Sequence, residues 1–202
     1  MILHVQKIVI SGGGMRFYFW LFAIMVCVAV TAVEIPLVNP EFNVVDGRIP
    51  GWQADVIKGT PGSVSSVVCD ENSGRRAIRI SSENAVDYFG IYQGGIDLKK
   101  FPRPAAGEEL QITLKFRQKN ENVSDGGFAN VSFYSETGYL AGRDTPKRSG
   151  TFDWGEVETS VRFKEIPRGA RFFYLRFYLG KTNGTVYFSE PRLFVNIVKK
   201  VK

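Results

Sequence analysis

The last quarter of the chain, from Thr151 to Val195, alternates apolar and polar side chains with a period of two residues. In its central segment, Phe173, Leu175 and Phe177 fall on one face. The opposite face carries Tyr174, Arg176 and Tyr178. A two-residue period is typical of a β-strand that is buried on one side, and it excludes an α-helix.

The same alternation predicts about ten strands along the chain. They are expected at residues 42–45, 53–57, 63–68, 77–81, 88–93, 109–117, 129–134, 157–163, 171–178 and 185–195. Clusters of Gly, Pro, Asn and Asp separate them, with loops predicted at 126–127 and 142–150. No segment shows helical amphipathicity, and no repeat or low-complexity linker divides the chain. We therefore predict an all-β fold, a two-sheet antiparallel β-sandwich of the jelly-roll type, in a single domain over residues 33–202.

The segment ahead of this domain has the pattern of a secretory signal. An apolar run from Phe17 to Val30 follows Arg16 and ends at the small residues around Ala32. We predict a signal peptide over residues 1–32 and a secreted, periplasmic or cell-surface protein with no membrane association after cleavage. The alternative is a membrane anchor, because the stretch from Phe17 to Val33 has 17 residues, the lower length limit of a bilayer span.

A second methionine, Met15, stands directly behind Gly12-Gly13-Gly14. A signal peptide beginning at Met15 would have an ordinary length and a basic second residue. Glycine codons just ahead of a start codon also coincide with a purine-rich ribosome-binding site. We therefore hypothesise that the true start is Met15 and that the source is bacterial.

Histidine and cysteine usage excludes several classes of chemistry. The one histidine, His4, lies in the predicted signal segment, so the remaining domain has no imidazole for a Ser-His-Asp or Cys-His mechanism or a His-ligated zinc. Cys27 also lies in that segment, which leaves Cys69 without an internal disulfide partner. We expect Cys69 to be a small buried hydrophobic residue.

Two kinds of catalysis need no histidine: hydrolysis by a carboxylate pair and elimination across a uronic acid. The candidate carboxylates stand at strand starts or on outward positions, where solubility explains them. They are Glu108, Glu109, Glu156 and Glu158. We therefore predict that the protein is not an enzyme, and a small polysaccharide lyase is the less favoured alternative.

Charge argues against nucleic acid as the partner. Without residues 1–32, the 26 basic and 20 acidic residues fall to 24 and 20, a formal charge of only +4. Export would also separate the protein from most nucleic acid.

Motifs near both ends of the predicted domain occur in a characteristic order. The first are Asn39-Pro40-Glu41-Phe42 and Gly51-Trp52; the later ones are Trp154, Ile166-Pro167, Gly184-Thr185-Val186-Tyr187-Phe188 and Pro191-Arg192-Leu193. Over residues 38–195 the chain thereby resembles the galactose-binding-domain-like carbohydrate-binding modules of the CenC type. The resemblance implies that Trp52 and Trp154 pack in the core and that the concave face of one sheet binds a glycan. A shared scaffold does not specify which ligand is bound.

The outward-facing residues of three strands that the resemblance places in one sheet form the predicted ligand site. They combine aromatic rings, amides and cations, which suit sugar C–H faces, hydroxyls and carboxylate or sulfate groups. They are Lys115, Arg117, Asn130, Tyr134, Tyr174, Arg176 and Tyr178, with rim contacts from Tyr88, Tyr92 and Tyr139. We predict a polysaccharide ligand, with the cations favouring an acidic one. The alternatives are a solvated sheet face and a surface that binds a protein partner.

The predicted function requires no cofactor, but the resemblance implies a structural calcium between the opening turn and the final strand. Calcium takes oxygen ligands. Here the matching positions carry Glu41, Asn43 and Glu190, to be completed by backbone carbonyls.

Overall fold

A computed structural model describes residues 32–56, 62–83 and 88–200. The predicted signal segment, with Met15 and Cys27, lies outside the described residues except for Ala32. Among the residues that are described, no helix has the length and apolar character needed to cross a membrane.

The described chain forms ten β-strands and one short 3₁₀ turn, Leu98–Lys100, which confirms the all-β prediction. The strands are β1 Val33–Ile35, β2 Gln53–Val56, β3 Gly62–Asp70, β4 Arg75–Ser82, β5 Phe89–Ile96, β6 Glu108–Tyr134, β7 Tyr139–Asp144, β8 Arg148–Phe163, β9 Phe172–Leu179 and β10 Gly184–Lys199. All the strand pairs are antiparallel.

The strands make two layers. The first sheet has the order β3-β4-β10-β6-β8, and β1 extends it beside the last part of β10. The second sheet has the order β2-β5-β9-β6-β7.

The long strand β6 belongs to both sheets. Its residues 108–121 pair with β10, whereas residues 127–134 pair with β9. Between the two parts, Asn122 (φ 55°) and Gly126 (φ 106°) adopt left-handed backbone conformations, which turn the strand from one layer into the other.

Phenylalanine rings fill the space between the layers. The ring of Phe177 on the second sheet lies 4.6 Å from that of Phe188 and 5.4 Å from that of Phe116, both on the first sheet. Phe133 meets Phe163 at 5.0 Å in the same way. These contacts show that the apolar sides of both sheets face each other, as the alternation predicted.

Trp52 confirms its predicted place in the core. It is 6% exposed, and its indole N–H donates to the carbonyl oxygens of Val38 (3.0 Å) and Asn39 (3.1 Å). Its ring lies 5.0 Å from that of Phe42. The indole thereby ties the opening turn to the core.

Several boundaries differ from the prediction. Residues 42–45 do not form a strand: Phe42 is fully buried in a turn with φ 55°, and only an isolated bridge joins Val45 to Arg48. Part of the loop predicted at 142–150 is paired, because β7 and the start of β8 cover it. Cys69 is half-buried rather than fully buried.

Candidate functional site

The structure divides the seven predicted ligand residues between two surfaces. Five of them lie together on the outer face of the second sheet, on β6 and β9. They are Asn130, Tyr134, Tyr174, Arg176 and Tyr178. Lys115 and Arg117 lie instead on the outer face of the first sheet, because the earlier part of β6 pairs with β10 and β8. The prediction that all three strands share one sheet face is therefore wrong for these two cations.

Arg176 lies at the centre of the five residues, and its side chain is only 10% exposed. Its Nε donates to Asp55 Oδ2 (3.1 Å) on β2, and its Nη2 donates to the Tyr134 hydroxyl (3.0 Å). Its Nη1 donates to Asn130 Oδ1 (3.4 Å) and to Ser132 Oγ. The guanidinium is thus bound by three side chains of the neighbouring strand β6 and by Asp55 of β2, which makes it a structural cross-link as well as a surface group.

Tyrosine rings surround this guanidinium and continue across the sheet. The Arg176 Cζ lies 4.9 Å from the centroid of Tyr174, 5.1 Å from that of Tyr134 and 5.7 Å from that of Tyr92. The ring of Tyr174 lies 4.7 Å from that of Tyr134 and 5.7 Å from that of Tyr92, and Tyr139 follows 5.6 Å beyond Tyr134. We call the surface formed by Arg176 and these rings, with Tyr178, the tyrosine face.

Glycines make room for the rings. A Cβ at Gly94 would lie 2.4 Å from Tyr174 Cε1, and a Cβ at Gly142 would lie 3.1 Å from the hydroxyl of Tyr139. Because both glycines lack a side chain, Tyr174 can lie over the neighbouring strand β5, and Tyr139 can lie along its own strand β7, instead of standing away from the sheet. The result is a broad surface rather than separate projecting rings.

Asp55 binds both Tyr178 and Arg176 at the β2 side of the tyrosine face. Its Oδ2 accepts from the Tyr178 hydroxyl (2.6 Å) as well as from Arg176. Burial and this hydrogen bond raise the pKa of Tyr178 far above its usual range, so the phenol remains a neutral donor. On the same strand, Gln53 Oε1 accepts from the Tyr92 hydroxyl (2.6 Å).

Beyond Tyr178 the face ends in a mixed aromatic and basic cluster. The rings of Tyr178, Tyr88 and Phe128 lie 5.4–5.8 Å apart. Lys147 Nζ lies 5.4 Å from the Tyr88 centroid and pairs with Asp125 at 2.5 Å. That hydrogen bond lowers the pKa of Asp125 and keeps it ionised. The predicted rim residues Tyr88, Tyr92 and Tyr139 therefore all border or belong to the tyrosine face.

Two residues that organise the face, Asp55 and Gly94, were not predicted from the sequence. Asp55 follows the alternation of its strand, so its outward direction was available as a signal. The hydrogen bond that Asp55 accepts from Arg176 on β9 could not be predicted in this way, because 121 positions separate the two residues in the chain.

The structure brings the predicted calcium ligands Glu41, Asn43 and Glu190 to one cleft of about 560 Å³, but their surroundings do not fit the ion. Arg75 lines the same cleft, and its Nη1 lies 3.1 Å from Glu190 Oε1. Arg76 lines it as well. Within the described ranges no group of three or more His, Cys, Asp or Glu side chains is placed to hold a metal. A cleft with two guanidinium groups disfavours a divalent cation, so we derive no calcium-dependent step.

Trp154 corrects another expectation, because it is only half-buried and lies on the outside of the first sheet. Its ring contacts Tyr187 at 6.1 Å, and the Arg117 Cζ lies 5.5 Å from its centroid. The pairing of β6 with β8 is regular as far as Gly155, opposite Gln118. Trp154 therefore has the same parity as Glu156 and Glu158, and the alternation of β8 directs it outward, against the core position that the resemblance implied.

No protein-family model matches the chain, and no curated protein matches it in sequence. Solved structures are similar in fold. The apo form of a cyclase from Fischerella sp. is 16% identical with a TM-score of 0.52, and the match covers 85% of this chain and 98% of the cyclase. The arabinose-bound α-L-arabinofuranosidase MgGH51 is 18% identical with a TM-score of 0.51; the match covers 82% of this chain but only 27% of the enzyme.

The carbohydrate-binding module TmCBM61, in complex with β-1,4-galactotriose, is also similar, with 13% identity and a TM-score of 0.45 over 83% of this chain and 100% of the module. The matches with a TM-score above 0.5 thus include a cyclase and part of a glycoside hydrolase. At these identities the similarity establishes the β-sandwich fold alone.

Proposed function

We propose that this protein binds a glycan on the tyrosine face and does not catalyse its conversion. The observation that carries the proposal is the continuous set of rings from Tyr139 through Tyr134 and Tyr174 to Tyr92, spread across four neighbouring strands. Three steps between strands span about 14 Å, enough for an extended ligand rather than a single small group. The CenC-type motifs of the sequence support the same proposal.

The chemistry of the face suits sugars. Pyranose rings present C–H groups that pack on aromatic rings, and their hydroxyls both donate and accept hydrogen bonds. Asp55, Gln53 and the tyrosine hydroxyls supply complementary groups at the margins of the rings. A polar platform of this kind can bind a sugar chain without a deep pocket.

The bonding of Arg176 favours a neutral sugar at the centre of the face. Its guanidinium is compensated by Asp55 and shares its remaining donors among Asn130, Ser132 and Tyr134. An anionic group on the ligand would have to displace these partners. We therefore assign the central arginine to holding the rings in place rather than to recognising ligand charge.

Export of the protein is part of the proposal and rests on the apolar segment that follows Arg16. A secreted or cell-surface location would give a non-catalytic binding domain access to polysaccharide. The alternative occupant of the tyrosine face is a protein partner, and the experiment below separates the two.

The test is binding of the purified protein to neutral galactan, arabinan, xylan, mannan and β-glucan by affinity electrophoresis, followed by calorimetry on any ligand found. Tyr174→Ala should weaken binding by about tenfold, because a central stacking ring is lost. Tyr187→Ala is the matched control, since Tyr187 is also half-buried but lies on the other sheet.

Equal affinity of the wild type and Tyr174→Ala would overturn the proposal. Failure to bind any glycan of the panel would also overturn it and favour the protein partner. Tyr187→Ala should bind the neutral glycan like the wild type.

A further inference from the structure

The outer face of the first sheet carries a second aromatic pair outside the core. Trp154 and Tyr187 are both half-buried, with ring centroids 6.1 Å apart and planes inclined at 62°. Cations lie beside each ring: Arg117 Cζ is 5.5 Å from the Trp154 centroid, and Lys119 Nζ is 5.6 Å from that of Tyr187. With Arg79, these residues form what we call the tryptophan face.

Strand register places the members of this face side by side. Tyr187 on β10 lies opposite Arg79 on β4 and opposite Lys119 on β6. Arg117 lies two residues from Lys119 on the same face of β6, opposite Ser189. Because adjacent strands are about 4.8 Å apart, the backbones at Arg79 and Arg117 are about 10 Å or more apart, with β10 between them.

Most cations on this side of the sheet are already paired. Lys115 meets Glu158 at 2.8 Å, Arg192 meets Glu34 at 2.8 Å and Lys119 meets Glu121 at 3.1 Å. Arg75 pairs with both Asp70 (2.7 Å) and Glu190 (3.1 Å).

The two arginines of the tryptophan face differ from these neighbours. Within residues 32–56, 62–83 and 88–200, neither Arg79 nor Arg117 has a hydrogen bond or an ion pair. The indole of Trp154 attracts the Arg117 cation but does not accept its N–H groups in conventional hydrogen bonds. Both guanidinium groups therefore retain donors for a ligand.

A cavity adjoins each of these arginines. Arg79 lines one of about 590 Å³, whose other walls carry hydroxyls and amides from Ser63, Ser81, Asn122 and Asn183 and the carboxylate of Glu83. Arg117 lines a groove of about 450 Å³ beside the irregularity of β10 between Ser189 and Arg192.

The groove beside Arg117 also contains carboxylates. Of these, Glu158 pairs with Lys115, and Glu190 shares Arg75 with Asp70, whereas Glu156 has no ion pair among the described residues. Carboxylates therefore offset the charge of Arg79 and Arg117, and these two arginines are distinguished by N–H groups that have no hydrogen-bond partner among the described residues.

We propose that the tryptophan face binds an anionic glycan, a polymer that carries carboxylate or sulfate groups. Arg79 and Arg117 each pair with one anionic group, and their separation selects two groups on successive parts of one chain. Tyr187, on the strand between them, and Trp154, whose ring lies beside Arg117, contact the sugar rings. A guanidinium fork matches the planar geometry of a carboxylate and the oxygens of a sulfate, and the cation–π contact holds Arg117 in position before binding.

This inference goes beyond the proposed function because it places a second ligand class on the opposite side of the domain. The test measures binding of the purified protein to polygalacturonate and to dextran sulfate at low and high salt, with unmodified dextran as the neutral reference. Arg117→Gln and Arg79→Gln should each weaken polyanion binding by about tenfold, and Trp154→Ala should weaken it several-fold. The polyanion whose binding depends on these residues identifies carboxylate or sulfate as the recognised group.

Arg162→Gln is the matched control, because Arg162 is an exposed arginine on the same outer sheet side, opposite Gln111. It removes the same charge and should leave polyanion binding unchanged. If Arg162→Gln weakens binding as much as Arg117→Gln, the attraction is due to net charge and the proposal fails. Absence of binding to both polyanions also overturns it.

Tyr174→Ala separates this proposal from the previous one. It should retain polyanion binding while losing the neutral glycan. Thermal unfolding of each variant shows whether the fold is preserved, and Arg117→Gln and Arg79→Gln replace surface side chains that take part in no hydrogen bond of the described chain.

Discussion

The two outer faces of the sandwich use arginine next to aromatic rings in opposite ways. On the tyrosine face, Arg176 is buried among three rings and donates to Asp55, Asn130, Ser132 and Tyr134. On the tryptophan face, Arg117 touches one ring and has no hydrogen bond within the described chain.

Residue type alone therefore does not define the role of an arginine beside an aromatic ring. A guanidinium whose donors are used by the protein supports the shape of a surface, whereas one whose donors remain unused can recognise an anion. This difference leads to separate expectations for stability and for binding.

The largest expected effect is on stability, at Arg176. Arg176→Met leaves the carboxylate of Asp55, whose side chain is 26% exposed, without its cation, and it removes the link between β9 and β2. We expect the free energy of unfolding to fall by about 3 kcal/mol. Arg192→Met is the control, because its ion pair with Glu34 is exposed and should contribute less than about 1 kcal/mol. Urea denaturation measures both, and similar losses would contradict the structural role of Arg176.

A second comparison uses glycines on the two sheets. A Cβ at Gly90 would lie 2.0 Å from the carbonyl oxygen of Phe177, a backbone atom that cannot move without shifting β9. Gly90→Ala should therefore destabilise the fold by about 2–3 kcal/mol. Gly155→Ala on β8 is matched to it, since a Cβ there meets nothing within 4 Å. The prediction fails if thermal denaturation gives both variants the same midpoint.

Gly94→Ala should change the shape of the tyrosine face while leaving the stability of the fold nearly unchanged. The added Cβ contacts the ring of Tyr174, which can rotate away, so the free energy of unfolding should change by less than about 1 kcal/mol. The displaced ring should nevertheless weaken neutral glycan binding several-fold and leave polyanion binding intact. Calorimetry with both ligands tests this, and unchanged affinity for the neutral glycan would contradict the arrangement of the rings.

The smallest effect concerns an acid on the first sheet. Hydrogen bonds from Arg75 and Ser73 hold the pKa of Asp70 at about 2. Because this pKa is lower in the folded state, the pairing stabilises the fold above pH 4 and its contribution is lost as the pH falls towards 2. Carboxyl NMR titration should give this low value, and Arg75→Gln should raise it; an unchanged midpoint in the variant would contradict the assignment.

The regular strands were predictable because one buried face imposes a strict period. Phe173, Leu175 and Phe177 are all fully buried, as their alternation requires. The opening turn was not predictable in this way. Asn39 bonds both the N–H and the carbonyl oxygen of Asn43 through its side chain, and this local bonding turns the apolar residue Phe42 inward without a strand.

The composition of the tyrosine face was predictable, but the separation of Lys115 and Arg117 from it was not. Alternation tells which side of a strand a residue occupies, whereas it does not tell to which sheet the strand belongs. The bend between Asn122 and Gly126 decides that point. The glycines in the sequence indicated an interruption there, and the structure uses it as a corner within one continuous strand.

Because β6 crosses that corner while it pairs with β8, β9 and β10, neither layer can complete its hydrogen bonding before the other. Residues joined in this way are far apart in the chain, as in the pairing of Lys199 with Glu108. Such topology favours slow, all-or-none folding, in which one cooperative unit includes both surfaces. We expect backbone amides of β9 and β10 to exchange with solvent deuterium through the same global opening, so a destabilising change on one side of the domain accelerates exchange on the other.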